Sequence, residues 1–160
     1  MVDASSLVIP AFHDVLGDVM AHGHTHYWLH GGRGSTKSSF ISVCIVLLIL
    51  ARPEANAVVV RRFSNTLRDS VFQQVTWAIA ELGLERWFRA RISPMEITYL
   101  PTGQRIVFRG ADDPLKLKGV KFTRGYCAVT WFEELDQFDG IDAVRSILNS
   151  LRRGGEDFWI

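Results

Sequence analysis

The sequence predicts an α/β fold in which helices flank a largely parallel sheet. Three observations carry that expectation. Ala57-Val58-Val59-Val60 is a continuous small and β-branched run, the pattern of a parallel strand covered on both faces. Cys127 to Phe132 is a second buried run of strand length. Lys37 to Ala51 is apolar on most sides, as in a helix enclosed by the core. Strand and helix signals alternate along the chain, which is the signature of an α/β arrangement.

In chain order, Phe12, Val15, Leu16, Val19 and Met20 mark one face of a helix over Ala11 to Ala21, ended by Gly23. Tyr27-Trp28-Leu29-His30 is short and apolar and reads as a buried strand leading into glycines. The helix from Lys37 stops at Arg52-Pro53. After the valine strand, Ser64 or Asn65 is expected to cap one helix running to about Leu82, with Gly83 as its stop. Ile97 to Leu100 and Arg105 to Phe108 flank Pro101-Thr102-Gly103-Gln104, a hairpin signal. Asp112-Asp113-Pro114 is a turn, Ile141 to Leu151 a helix, and Phe158-Trp159-Ile160 the opening of another strand. The chain ends inside that apolar run, so it is expected to be a truncated piece. No internal repeat, linker or low-complexity tract divides it.

Composition bounds the rest. At 160 residues with 48% apolar content, one domain spanning 1–160 with one buried core is expected. A formal net charge of +1 neither favours nor disfavours nucleic acid, because a basic patch can sit on a neutral protein. Cys44 and Cys127 both lie in apolar runs and fit a reducing cytoplasm. The N-terminus lacks a basic start followed by an apolar core, and the run Val43 to Ala51 is about half of the roughly 20 residues a membrane span needs.

Gly31-Gly32-Arg33-Gly34-Ser35-Thr36-Lys37-Ser38 lies between the first expected strand and the enclosed helix. It follows the phosphate-loop pattern G-x-x-x-x-G-K-[ST], with Thr36 in place of the final glycine. Small residues let Gly31, Gly32, Gly34 and Ser35 wrap their backbone around phosphates and point N–H groups inward. The helix beginning near Lys37 adds its positive dipole end. In such a loop Lys37 reaches the β- and γ-phosphates and Ser38 binds Mg²⁺, with Ser39 next in line. Thr36 is β-branched and resists positive φ, so it must sit at negative φ or under strain.

Tyr126 to Phe132 delivers Glu133 and Glu134 to the end of a buried strand, the edge where ligands sit in open α/β sheets. One carboxylate there would hold Mg²⁺ and the other would orient and deprotonate an attacking water. Adjacent residues suit this division because they point in different directions. The first of the pair is more usually Asp; Glu133 is longer by one methylene.

With these motifs in hand, the ordered set His24 to Leu29, Gly31 to Ser39, Val60-Arg61-Arg62, Thr66 to Val71, Phe108 to Pro114, Lys116-Leu117-Lys118 and Trp131 to Leu135 resembles the large terminase subunits of tailed phages and prophages, especially the PBSX-related group. The resemblance spans about His22 to Phe138. It implies the ATPase part of a DNA-packaging motor, with a P-loop NTPase fold of the additional-strand, catalytic-glutamate type and with ATP and Mg²⁺ as cofactors. It implies that Glu134 is the catalytic glutamate, that Glu133 and Ser38 hold Mg²⁺, and that Arg33 stabilises the transition state, in cis or across a subunit boundary. The implied partners are double-stranded viral DNA, the portal protein, the small terminase subunit and further copies in a ring, with no membrane. The implied place is the host cytoplasm and, during packaging, the procapsid. The family's coupling motif and nuclease domain lie outside this chain.

Other features leave alternatives open. His22, His24, His26 and His30 are either metal ligands or a solvated segment before a strand. Arg61, Arg62 and Arg68 contact nucleotide, DNA or a neighbouring subunit, or form a solvated basic face. Lys116, Lys118, Lys121 and Arg124 form a looser basic cluster, open to contact with a DNA backbone. Trp77, Trp87 and Phe88 are expected in the core or at an interface. A helicase, a small-molecule kinase and a nucleotide-binding fragment without hydrolysis in isolation are the competing functions. The acidic pair favours water attack over transfer to a kinase acceptor.

Overall fold

The computed structural model describes residues 4–32 and 34–160. A five-stranded sheet forms its centre, in the order β2-β3-β4-β1-β5. The strands are β1 (Ala55–Arg61), β2 (Phe88–Ile92), β3 (Met95–Tyr99), β4 (Arg105–Gly110) and β5 (Tyr126–Phe132). β1 is parallel to both β4 and β5, and its valines are fully buried, as expected of a strand covered on both faces. The β2–β3–β4 side is antiparallel. The hairpin between β3 and β4 lies where the sequence placed it. β2 was not foreseen, because Arg89 and Arg91 interrupt its apolar run and the strand is mostly exposed.

Each face of the sheet has its own core. On one face α1 (His13–Ala21), α2 (Lys37–Ala51) and α3 (Gln73–Glu81) cover Ala57, Val59, Ile97, Ile106 and Phe108. On the other, α4 (Pro114–Lys118) and α5 (Ile141–Leu151) cover Val58, Val60, Val107 and Cys127 through Leu117, Val144, Leu148 and Leu151. Alternation along β1 and β4 thus feeds two separate cores. Helix α2 is enclosed almost all round, with Val43 and Val46 at 0% exposure, which accounts for its uniformly apolar sequence. Burial pushes the Cys44 thiol up to about 12 and the Cys127 thiol up to about 11.

Two expectations about local structure are corrected. The residues Tyr27 to His30 form no buried strand: no strand is assigned there, and Trp28 is 68% exposed. Just before it, the chain pairs with the final residue. Ile160 donates its N–H to Thr25 O at 2.8 Å and accepts from Tyr27 N at 2.7 Å. Trp159 in turn exchanges two hydrogen bonds with β5, donating to Ala128 O at 2.8 Å and accepting from Thr130 N at 2.9 Å. The final residues therefore lie between β5 and the segment that leads into the glycine loop. Asp18 fastens that segment to α1, accepting from Tyr27 Oη at 2.8 Å and lying 2.9 Å from His24 Nδ1. These contacts with His24 and then Tyr27 hold its carboxyl below the usual range.

The second correction concerns Ser64 to Leu82, which is not one helix. A 3-10 turn (Ser64–Thr66), a π turn (Arg68–Phe72) and α3 follow one another. Neither Ser64 nor Asn65 caps; Ser64 donates its N–H and hydroxyl to Asp112 instead. The wide turn is closed by Phe72 N donating to Leu67 O at 3.1 Å, and Ser70 Oγ bonds back to Thr66 O. Asp113 caps α4 by accepting from Lys116 N at 3.1 Å, so the Asp-Asp-Pro turn serves two elements.

Candidate nucleotide site

The glycine loop, the N-terminus of α2 and the C-terminal ends of β1 and β5 meet at one edge of the sheet. Ser38 donates its hydroxyl to Glu133 Oε1 at 2.8 Å across 95 positions of sequence. Burial raises the Glu133 carboxyl above its ordinary value, and the Ser38 hydrogen bond opposes this in part. A hydroxyl and a carboxylate in contact at the start of a helix are suitable donors for a hard cation such as Mg²⁺.

Lys37 folds back over the loop. Its Nζ donates to Gly31 O at 2.8 Å, to Gly32 O at 3.2 Å and to Ser35 Oγ. Gly34 has φ 79° and Thr36 has φ 57°, both in the left-handed region. Thr36 therefore takes the strained alternative, with left-handed backbone at a β-branched residue. Its Oγ1 donates to Ser35 O at 2.7 Å, and its carbonyl accepts the first helical bond from Phe40 at 2.9 Å. Arg33 lies outside the described residues.

Glu133 and Glu134 diverge as their adjacency predicts. Glu134 is exposed at φ 54°, and its Oε2 is ion-paired to Arg61 Nη2 and accepts from Gln137 Nε2 at 2.8 Å. Of the three arginines left open above, Arg61 thus faces the carboxylate pair. Arg62 pairs with Asp139 at 2.8 Å, and Arg68 is exposed. Gln137 is the residue of this site that motif reading missed, and the partner of Arg61 was left open. A basic residue closing a strand beside the acidic strand end was the available signal, and it does not specify a partner. Beside Ser38 and Glu133 a cleft of about 340 Å³ opens, lined also by Asp69, Ser70, Gln74 and Trp77. Gln74 donates to Ser39 Oγ at 3.1 Å, which ties α3 to the first turn of α2.

The histidines do not converge. His22 Nε2 lies 3.1 Å from Phe158 O and His24 is held by Asp18. Among the described residues no group of three His, Cys, Asp or Glu is arranged to hold a metal ion. Trp77 and Trp87 are partly exposed at 36% and 41%, whereas Phe88 packs against Tyr99.

A glycine loop feeding a core helix, beside two carboxylates at the end of an adjoining parallel strand, defines the fold of a P-loop NTPase domain. The sequence matches the phage terminase large subunit family over residues 23–160, and the chain belongs to that family. It is 39% identical over 152 residues to the terminase large subunit of Bacillus phage SPP1, covering 95% of this chain and 36% of that protein. It is 36% identical over 128 residues to the PBSX phage terminase large subunit of Bacillus subtilis (strain 168), covering 80% of this chain and 28% of that protein. The chain thus spans about a third of the length of these relatives. In fold it is similar to the HK97 bacteriophage large terminase, with a TM-score of 0.68 at 17% identity, over 95% of this chain and 32% of the other. It is also similar to the N-terminal domain of the DNA packaging ATPase from bacteriophage phi29, with a TM-score of 0.63 at 14% identity, over 89% of this chain and 74% of the other. Among the described residues no helix is long and apolar enough to cross a membrane.

Proposed function

We propose that this chain is the ATP-hydrolysing motor module of a terminase large subunit, which drives viral DNA into the procapsid in the host cytoplasm. The observation that carries the reading is the 2.8 Å contact between Ser38 and Glu133, with Lys37 at the same loop and Glu134 on the other side of the strand end. ATP would be held by the backbone of Gly31 to Thr36, by Lys37 and by the first turn of α2, including Ser39. Lys37 would exchange its loop carbonyls for phosphate oxygens. Ser38 and Glu133 would hold Mg²⁺, which supplies charge neutralisation on the transferred phosphoryl group. Glu134 would orient a water and take its proton, and Arg33 would stabilise developing charge. Duplex DNA, the portal protein, the small terminase subunit and further copies in a ring complete the machine.

A second reading has its own observation. Glu134 is engaged by Arg61 and Gln137, so the isolated chain would bind nucleotide without turning it over until that engagement is released.

Calorimetric titration with ATP and Mg²⁺ tests the site. The unaltered chain is expected to bind, Lys37→Ala to lose most of the affinity, and Glu134→Gln to keep it. A folded, unaltered chain that takes up no nucleotide would overturn the proposal.

A further inference from the structure

We propose that the open face of the β2–β4 side of the sheet, together with α4 and the segment after it, is a docking surface for the phosphate backbone of duplex DNA. The register sets this surface. Arg89 lies opposite Thr98, and Thr98 opposite Arg105; Arg91 lies opposite Glu96, and Glu96 opposite Val107. Directly opposed residues share a face, so Arg89, Arg91 and Arg105 project from the face that carries Val107, and Arg109 joins them two positions further along β4. That is the face covered by α4 and α5 near β1 and β5. At β2 Arg89 and Arg91 are exposed, while on β3 Thr98 is half-buried and Glu96 is buried beneath them.

The basic cluster noted in the sequence adjoins this face. Arg105 Nη2 bonds to Lys121 O, and its guanidinium lies 5.3 Å from the Phe122 ring centroid, which fixes the segment after α4 to β4. Lys116, Lys118 and Lys121 are exposed alongside. Two carboxylates neutralise part of the surface: Glu96 pairs with Arg105 at 3.1 Å and Asp113 with Lys116 at 2.9 Å. Among the described residues, Arg89, Arg91, Lys118 and Lys121 have no carboxylate within ion-pairing distance. Arg109 Nε is buried without a hydrogen-bond partner.

Charges on an edge strand also discourage sheet-to-sheet association, and that explains Arg89 and Arg91 taken alone. It does not explain Lys118 and Lys121, which lie off the sheet. Neighbouring strands are about 4.8 Å apart and alternate residues about 6.8 Å apart, so the cations form a two-dimensional array suited to a polyanion rather than to one small anion. The choice of duplex DNA as that polyanion rests on the packaging reading above.

The test is fluorescence anisotropy with a short labelled duplex of mixed sequence, in the absence of nucleotide. It remains readable whether or not the ATPase assignment survives the calorimetric titration. Arg89→Glu/Arg91→Glu and Lys118→Glu/Lys121→Glu are each expected to weaken binding at least about tenfold and to lower the log–log salt slope by roughly 2, measured between about 50 and 200 mM salt. Arg68→Glu, on the opposite layer, is expected to retain affinity. Unchanged circular dichroism confirms that the exposed reversals still fold. Absence of duplex binding by the unaltered chain, equal loss in Arg68→Glu, or competition by polyglutamate as effective as by DNA would each overturn the proposal.

Discussion

Glu134 is ion-paired to Arg61 across the gap between two neighbouring parallel strand ends, while Glu133, one residue earlier, turns the other way to Ser38. The adjoining carboxylates thus have separate attachments, one to β1 and one to the first turn of α2. A Glu134 that acts as a base has to leave Arg61 and Gln137. Arg61→Gln is therefore expected to raise single-turnover ATP cleavage by about two- to fivefold, the equivalent of a partly exposed pair worth on the order of 0.4–1 kcal/mol. An unchanged or lower rate would show that the pair does not restrain the carboxylate.

Thr36 occupies the position where the loop pattern has glycine, and it stands at φ 57°. Left-handed backbone costs a residue with a Cβ about 1–2 kcal/mol, and glycine gives back part of that gain through its more flexible unfolded state. Thr36→Gly is expected to stabilise the chain by about 0.5–1 kcal/mol. A shift of the urea midpoint to lower concentration would contradict the strained assignment.

Glu133 has a folded-state pKa raised above the ordinary carboxyl value of 4.5, chiefly by burial. The folded chain then keeps a proton that the unfolded chain releases. The group favours the fold below 4.5, and that contribution is lost as pH rises through the raised folded-state value. In chelator, stability of the unaltered chain relative to Glu133→Gln is expected to fall across this interval. Mg²⁺-dependent nucleotide affinity is expected to rise over the same interval, because the ionised carboxylate is the metal-binding form, and Glu133→Gln should flatten that rise. Parallel pH profiles for the two proteins would remove Glu133 from the metal site.

Gln104 is 1% exposed, and its amide donates to the carbonyls of Ile49 at 3.0 Å, Arg52 at 2.8 Å and Ala55 at 2.6 Å. It closes the turn between α2 and β1, while Thr102 Oγ1 donates to its Oε1 at 2.6 Å. Gln104→Leu keeps most of the volume but takes this donor from the Ile49 and Ala55 carbonyls, while Arg52 O keeps its bond from Ala55 N at 2.9 Å, and it is expected to destabilise by about 2–3 kcal/mol. Urea denaturation reads this directly; a loss under half a kcal/mol (about a third of one hydrogen bond) would mean that the turn re-forms its bonds another way.

The sequence by itself determined the α/β class, the two buried strands, helix α2 and the glycine loop that precedes it. Each is written in local terms: β-branched runs, uniform apolarity over fifteen residues, and a glycine pattern before a lysine. It also determined that Glu133 and Glu134 diverge, since neighbouring residues at a strand end must. The tertiary structure decided what depends on distant partners. Only the approach of β1 to β5 makes Arg61 the counterion of Glu134. Only Ile160 and Asp18 fix the path of Thr25 to Tyr27, which has too few ladder bonds of its own to read as a strand. Only the cross-strand register places Arg89, Arg91 and Arg105 on one face, because a one-residue slip would turn a strand's side chains to the other side. Local patterns fix what a segment becomes; which side chains it meets depends on pairing and packing energies that involve segments far away in the chain.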